Sequence, residues 1–177
     1  MQKRINQLAH VLNNGGVAVI RTDTLYGIVA RADDERAVEK VYQLKKRNPE
    51  KSCIVLVADE DSLYGHMAPG GSLAASVPTS FLIYSPSAPL WLRRANDRIA
   101  YRQPQVAWLK EVLKMTGPII APSANTEGQP PARTIAEAKQ YFGSAVDAYI
   151  DDGTVPEDVP PSQLMWRHQD GRVERLR

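Results

Sequence analysis

Three short polar segments carry the residue types that suit the binding of a small charged ligand. They are residues 22–27 (TDTLYG), residues 45–51 (KKRNPEK) and residues 122–131 (PSANTEGQPP). The cations of the second segment suit a triphosphate, because arginine binds phosphate oxygens bidentately and lysine acts as a mobile point charge. The other two segments offer hydroxyl and amide groups, which donate and accept hydrogen bonds. These groups suit a nucleotide, an acyl group or a carboxylate.

Each segment also has a simpler structural interpretation. Residues 22–27 can be a turn that Asp23 closes, with Gly27 allowing a close backbone approach. The cations of residues 45–51 can complement the dipole at a helix C-terminus while facing solvent. Residues 122–131 can be an ordinary connecting loop. Taken one at a time, the segments leave both interpretations open.

Hydrophobic periodicity predicts the elements that position these segments. Helices are predicted around residues 5–12, from an Asp33 or Asp34 cap to 45–49, around 106–113, and from a Thr134/Glu137 capping box to 142. Strands are predicted at residues 17–20, 54–57, 81–84, 99–102, 119–121, 149–150, 163–166 and 173–176. Residues 69–77 are predicted to be a loop or a weak helix. Interleaved strands and helices predict an α/β fold, with an open mixed sheet, helices on both faces and one domain over residues 1–177.

Composition excludes several classes of protein. The chain has 177 residues, of which 43% are hydrophobic and 24% charged, as in globular domains. No apolar run approaches the roughly 20 residues that span a bilayer, and the amino terminus lacks a signal peptide, so we expect a cytoplasmic protein without membrane contact. Cys53, the single cysteine, lies in an apolar run and is predicted to be a buried thiol. A net charge of +2 is too small to indicate nucleic-acid binding by itself.

Common catalytic signatures are missing. The sequence has no Walker loop, no Rossmann glycine triplet, no HExxH and no Gly-x-Ser-x-Gly motif. Its three histidines are far apart and near no cysteine pair, which argues against a zinc site. The site must therefore be sought in the three polar segments, each of which follows or flanks a predicted strand.

Taken together and in this order, the segments resemble the motifs of the TsaC/YrdC family of threonylcarbamoyl-adenylate synthases. Residues 22–27 resemble P-T-[DE]-T-x-[YF]-G, residues 45–51 resemble K-x-R-P-x-x-K-P, and residues 121–131 resemble S-A-N-x-S-G-x-P. The resemblance covers nearly the whole chain. It implies a twisted open α/β sheet, flanked by helices, with a concave and positively charged face.

The resemblance also implies an activity. The family combines L-threonine, bicarbonate and ATP into threonylcarbamoyl-AMP and pyrophosphate, and the product is used to modify a tRNA adenosine (t6A). Mg²⁺ is expected with the ATP phosphates, with no metal ligands from protein side chains and no tightly bound organic cofactor. The resemblance leaves open whether the chain itself contacts tRNA and the downstream threonylcarbamoyl-transferase complex.

Site residues follow from the resemblance position by position. The implied threonine-binding residues are Thr24, Arg102, Ala121 and Ser162. The implied ATP-binding residues are Lys45, Arg47, Lys51, Ser80, Ser123, Asn125, Pro131 and Arg175. No covalent nucleophile or general base is assigned, because positioning and charge neutralisation account for most of such a reaction.

The sequence also departs from the family motifs. Arg21 and Asn48 replace prolines, residues 52–53 (SC) replace a proline–aliphatic pair, and the segment before Ser80 is degraded. Two alternatives therefore remain: a family paralogue that acts on a different carbamoyl substrate, and a non-catalytic module that binds double-stranded RNA or tRNA. Few aromatic residues (7%), none among the cations of residues 45–51, argue against the second alternative.

Overall fold

The computed structural model describes residues 1–177, and nine strands of this chain form one sheet. The helices are α1 Gln2–Asn13, α2 Glu35–Lys45, α3 Leu90–Arg93, α4 Ala107–Thr116 and α5 Ile135–Phe142. The strands are β1 Ala18–Arg21, β2 Tyr26–Arg31, β3 Ile54–Leu56, β4 Thr79–Tyr84, β5 Arg98–Arg102, β6 Ile119–Ile120, β7 Ala148–Ile150, β8 Gln163–Arg167 and β9 Val173–Arg175. A single 3₁₀ turn lies at Glu60–Ser62.

The sheet is open and mixed, which confirms the predicted fold class. Its strand order is β7-β1-β2-β6-β3-β5-β4-β8-β9. Three neighbouring pairs are parallel (β1–β7, β3–β5 and β4–β8), and the other five are antiparallel. The antiparallel β8–β9 hairpin forms one edge, as the sequence predicted. No helix is both long and apolar enough to cross a bilayer.

Helices pack on both faces of the sheet, and alternation along β1 shows how the strands divide between them. Val19 belongs to the apolar cluster that includes buried apolar residues from α2, α3 and α5. Its neighbours Ala18 and Ile20 belong to the second cluster, which includes buried apolar residues from α1 and α4. Successive side chains of a strand point to opposite faces, so each cluster lies on its own face.

The helices α1 and α4 cover only part of their face. Beyond them, four neighbouring strands present Ile54, Ala100, Leu82 and Leu164 to one open pocket. Three of these residues align across the sheet, since Ala100 pairs with both Ile54 and Leu82, and Leu164 is two residues before Trp166, the partner of Leu82. The uncovered half of this face therefore forms the floor of a cavity.

Local signals account for the ends of α2. Asp34, rather than Asp33, caps its first turn by accepting a hydrogen bond from the Ala37 backbone at 3.0 Å. The helix ends at Lys45 because Lys46 adopts the left-handed conformation, with φ of 49°. We predicted that Pro49 would end this helix, and the structure ends it four residues earlier. The turn at Lys46 redirects the chain so that residues 45–51 run back along the third polar segment.

Strand β2 is the main element that the sequence analysis missed. Residues 22–27 were predicted as a polar segment after a strand, but β2 begins within them at Tyr26 and five of its six residues are buried. The turn between β1 and β2 is tight, and the Thr22 backbone donates to the Leu25 carbonyl at 3.1 Å. Strand β2 then pairs with β6, which brings the first and third polar segments together. The short helix α3 was not predicted either.

Candidate active site

The pocket on the uncovered half of the sheet has a volume of about 320 Å³. Its floor is apolar and its walls are polar. The lining residues are Thr22, Thr24, Leu25, Tyr26, Gly27, Arg47, Ser52, Ile54, Leu82, Ala100, Arg102, Ala121, Pro122, Ser123, Pro161, Ser162, Leu164 and Arg177. Three of them are arginines and none is an aspartate or glutamate. Such a pocket favours an anionic ligand.

The turn between β1 and β2 forms one wall. Its Thr22 hydroxyl donates to the Leu25 carbonyl at 2.9 Å and lies 3.1 Å from the Thr24 hydroxyl. At Gly27 the chain runs against the third segment, where an added Cβ would lie 3.2 Å from the Pro122 carbonyl oxygen. A larger residue at this position would push the two walls apart.

The second wall is formed by Ala121, Pro122 and Ser123, where the loop of residues 123–131 begins, and Lys45 holds this loop in place. The Lys45 ammonium group donates to the Ser123 carbonyl, to the Asn125 carbonyl at 2.6 Å, and approaches the Asn125 Oδ1 at 3.3 Å. Asn125 then donates to the carbonyls of Thr126 and Gln129, at 2.9 and 2.7 Å. Lys45 is only 2% exposed and is not among the lining residues. The structure therefore gives Lys45 a bracing role in the loop, and the phosphate contact that the motif implied stays a prediction.

Burial changes the ionisation of this lysine. Loss of water, followed by the charge of Arg47, lowers the pKa of Lys45 from 10.5 to about 8. Three oxygen acceptors match the three donors of an ammonium group, so the charged form suits this position. The loop is consequently best braced below a pH of about 8.

Arg47 is the cation of the second segment that reaches the pocket. Its Nε donates to the Lys51 carbonyl at 3.2 Å, and its Nη2 donates to the Ser52 carbonyl at 2.8 Å. The buried Tyr42 hydroxyl donates to the same Lys51 carbonyl at 2.7 Å. These contacts fix the guanidinium at the pocket wall.

Lys51 points away from the pocket. Its ammonium lies 2.8 Å from a carboxylate oxygen of Glu127, and Glu127 also accepts a hydrogen bond from the Asn48 backbone. The Glu127 backbone in turn donates to the Lys45 carbonyl at 2.7 Å. This exposed pair ties the helix exit to the loop of residues 123–131, so Lys51 has a partner other than a phosphate.

Arg102 lies at the end of β5, in the pocket wall. Its guanidinium is 3.1 Å from the Asp23 carboxylate and donates to the Thr22 hydroxyl at 3.4 Å. Burial lowers the pKa of Arg102, and the nearby negative charge of Asp23 opposes that effect. A guanidinium so strongly basic stays charged, and it presents that charge to the pocket.

The opposite side of the pocket includes Pro161 and Ser162, at the end of residues 151–162, which we call the strap. It connects the end of β7 to the start of β8, and its last residue is Ser162. The Tyr26 hydroxyl donates to the Gly153 carbonyl at 2.7 Å, and Arg133 donates to the carbonyls of Pro156 and Glu157. The strap is thereby bonded to Tyr26 of β2 and to Arg133, which follows the loop of residues 123–131.

Ser80 and Arg177 complete this side of the site. The Ser80 hydroxyl is fully buried and lies 2.9 Å from the Ser162 hydroxyl, which itself lines the pocket. Arg177 lines the pocket and donates to the Ser162 carbonyl at 3.0 Å. Arg175, which the resemblance had implied, pairs with Met165 of β8. Met165 packs on the apolar cluster of the other face, so Arg175 points away from the pocket.

A match to a family model covers most of the chain. The model for the Sua5/YciO/YrdC family, described as "Telomere recombination", matches residues 10–176. The chain belongs to the Sua5/YciO/YrdC family. Its resemblance to YrdC-type proteins is thereby confirmed.

Curated members of the family are similar over nearly their full length. The chain is 31% identical to a protein from Nitrosococcus oceani, across 98% of this chain and 97% of that relative. It is 29% identical to a protein from Cellvibrio japonicus, across 93% of this chain and 91% of that relative. Both relatives are named threonylcarbamoyl-AMP synthase.

Solved structures of the family share the fold. P. abyssi Sua5 in complex with L-threonine superposes with a TM-score of 0.84 and 21% identity, over all of this chain. The chain spans about half of that protein (54%). E. coli YciO superposes with a TM-score of 0.83 and 20% identity, over all of this chain and 89% of YciO.

Six of the twelve predicted site residues line one pocket. Those that line it are Thr24, Arg47, Arg102, Ala121, Ser123 and Ser162. Those that do not are Lys45, Lys51, Ser80, Asn125, Pro131 and Arg175. Arg177, two positions beyond the motif arginine, was not predicted from the sequence, and Asp23 was predicted only as the residue that closes a turn. A search for every cation near the C-terminal motif would have included Arg177.

Proposed function

We propose that this chain is a threonylcarbamoyl-AMP synthase, which makes threonylcarbamoyl-AMP and pyrophosphate from L-threonine, bicarbonate and ATP. The observation that carries the proposal is one pocket with three arginines, several hydroxyl groups and no aspartate or glutamate among its lining residues. The synthase names of relatives about 30% identical over most of the chain support it. Both the phosphates and the threonine carboxylate are anions that such a pocket favours.

The reaction forms two bonds in turn. The threonine amine adds to the carbon of bicarbonate and water leaves, giving a carbamate. A carbamate oxygen then attacks the α-phosphorus of ATP, and the bond to the pyrophosphate leaving group breaks. Carbamate and triphosphate repel each other, so their approach needs cations that screen both charges. Arg47, Arg102 and Arg177 are placed to do so, and holding the reactants in line lowers the barrier further.

We further propose that Mg²⁺ enters the pocket on the ATP phosphates. The chain has no cluster of three His, Cys, Asp or Glu side chains that would form a cage for the ion. Mg²⁺ keeps several waters and binds readily through substrate phosphates, which is consistent with a pocket lined by donors rather than carboxylates. The metal then adds to the charge neutralisation that the arginines supply.

Mass spectrometry of products tests the activity directly. The protein is mixed with ATP, L-threonine, bicarbonate and Mg²⁺, and threonylcarbamoyl-AMP and pyrophosphate are quantified. We expect both products only when threonine and bicarbonate are present together. Arg47→Ala should lower product formation, while Arg36→Ala, on the exposed side of α2, serves as the matched control.

Two results would contradict the proposal. Pyrophosphate release without threonine would indicate a different substrate, which is the family-paralogue alternative, and a screen of other amines would then identify it. Absence of any nucleotide product, together with RNA binding that weakens steeply with salt, would indicate the non-catalytic alternative. The same salt titration, carried out with tRNA, tests whether the chain itself contacts tRNA, which the resemblance leaves open. Fractionation of cells tests the predicted cytoplasmic location.

A further inference from the structure

Asp23 and Arg102 form a buried ion pair in the wall of the pocket. Their side chains are 3% and 4% exposed, and the shortest distance between their charged atoms is 3.1 Å. Arg102 lines the pocket whereas Asp23 does not. Asp23 thus places a negative charge directly behind a guanidinium that faces the ligand.

The two side chains of this pair make few hydrogen bonds. Neither the Asp23 Oδ1 nor the Arg102 Nε has a hydrogen-bond partner, although both atoms are buried. Arg102 makes one long hydrogen bond, to the Thr22 hydroxyl at 3.4 Å, and Asp23 accepts one from the Gln105 backbone at 3.4 Å. Protein acceptors therefore leave several donors of the Arg102 guanidinium unused, while Asp23 lies beside its charge.

The other two arginines of the pocket differ in this respect. Arg47 donates to the carbonyls of Lys51 and Ser52, and Arg177 donates to the carbonyl of Ser162. Backbone carbonyls are dipoles without net charge, and neither Arg47 nor Arg177 has an aspartate or glutamate within salt-bridge distance. Arg102 is therefore the one pocket arginine whose charge is balanced by a buried carboxylate in direct contact.

We propose that Asp23 determines which anion binds at Arg102, by reserving this arginine for the carboxylate of the amino-acid substrate and excluding phosphate. A zwitterionic amino acid has no net charge, so it suits a balanced pair. A phosphate group with two negative charges would face the buried Asp23 carboxylate, and repulsion is strong where water is scarce. Phosphate groups then bind at Arg47 and Arg177. The identity of the amino acid rests on the proposed function, but the exclusion of phosphate does not.

Calorimetric titration with inorganic phosphate tests the exclusion without any turnover. We expect Asp23→Asn to bind phosphate at least about tenfold more tightly than the unmodified chain. This factor corresponds to the lower end of the binding free energy that one charge-assisted hydrogen bond contributes. The double variant Asp23→Asn/Arg102→Gln should lose that gain. Asp147→Asn is the matched control, because it removes the carboxylate partner of Lys40, away from the pocket.

A second pair of variants covers the case in which Asp23→Asn does not fold. Arg102→Gln should keep the phosphate affinity of the unmodified chain and weaken the binding of L-threonine at least about tenfold. Arg47→Gln should do the reverse. Thermal unfolding of each variant checks that it is folded. The proposal is overturned if folded Asp23→Asn binds phosphate no more tightly, or if Arg102→Gln weakens phosphate binding as much as Arg47→Gln does.

Discussion

Replacement of Lys45 by methionine separates a bracing role from a phosphate-binding role. Methionine keeps the apolar stem and removes the ammonium, leaving the Ser123 and Asn125 acceptors buried without their donor. The three lost bonds, at about 2 kcal/mol each, are charge-assisted. Removing the charge also relieves the cost of burying it. The fall of the Lys45 pKa from 10.5 to about 8 puts that cost at about 3 kcal/mol of folding free energy. The net loss of folding free energy is therefore about 3 kcal/mol.

Urea unfolding followed by circular dichroism measures that loss. Lys46→Met is the matched control, since it makes the same change at the next residue, which is exposed. We expect the control to change the free energy of unfolding by less than about 0.5 kcal/mol. If Lys45→Met is as stable as Lys46→Met but no longer binds ATP, the bracing role is wrong and the phosphate contact implied by the motif is right.

Three further predictions follow from other parts of the site. Arg177→Ala should weaken ATP binding by about 1.5–3 kcal/mol, whereas Arg175→Ala should leave it unchanged. Calorimetric titration with ATP measures both, and equal losses would contradict the finding that only Arg177 faces the pocket. Activity should fall as the pH rises through about 8, because neutral Lys45 loses a donor to its loop. Unfolding is not the cause of this loss. Between about pH 8 and pH 10.5 the unfolded chain keeps the Lys45 proton that the folded chain has released, so the contribution of Lys45 to the free energy of unfolding rises with pH. Ser80→Ala should cost about 1 kcal/mol of stability through the lost bond to Ser162, and thermal unfolding that matches the unmodified chain would refute it.

Strands and helices with strong periodicity were predictable from the sequence. The helix α1 and the strands β1, β3 and β5 lie where the apolar pattern placed them, and Thr134 caps α5 as predicted. Strand β2 was not predictable in the same way, because its pattern is continuously apolar after a polar turn. A strand buried on both faces has no alternation to detect.

The order and chemistry of the three polar segments are properties of the sequence alone. They were sufficient to indicate the family, the fold class and a pocket for phosphate and carboxylate groups. The direction of each cation was decided only by the tertiary structure. Residues 45–51 contain four lysines and arginines, of which Arg47 alone lines the pocket.

The physical reason is that a cation points to whichever acceptor the fold places nearest. Lys45 lies beneath carbonyls nearly 80 residues further along the chain, and Lys51 meets Glu127. At the C-terminus, the pairing of Met165 with Arg175 turns that arginine away from the pocket. Regular pairing would turn Arg177 to the same face as Arg175. Instead the Leu176 and Arg177 backbones both donate to the Leu164 carbonyl, and after this irregular pairing Arg177 lines the pocket. Contacts between residues so distant in sequence leave no local pattern. The sequence therefore determines which chemistry is present, and the tertiary structure determines which side chains carry it.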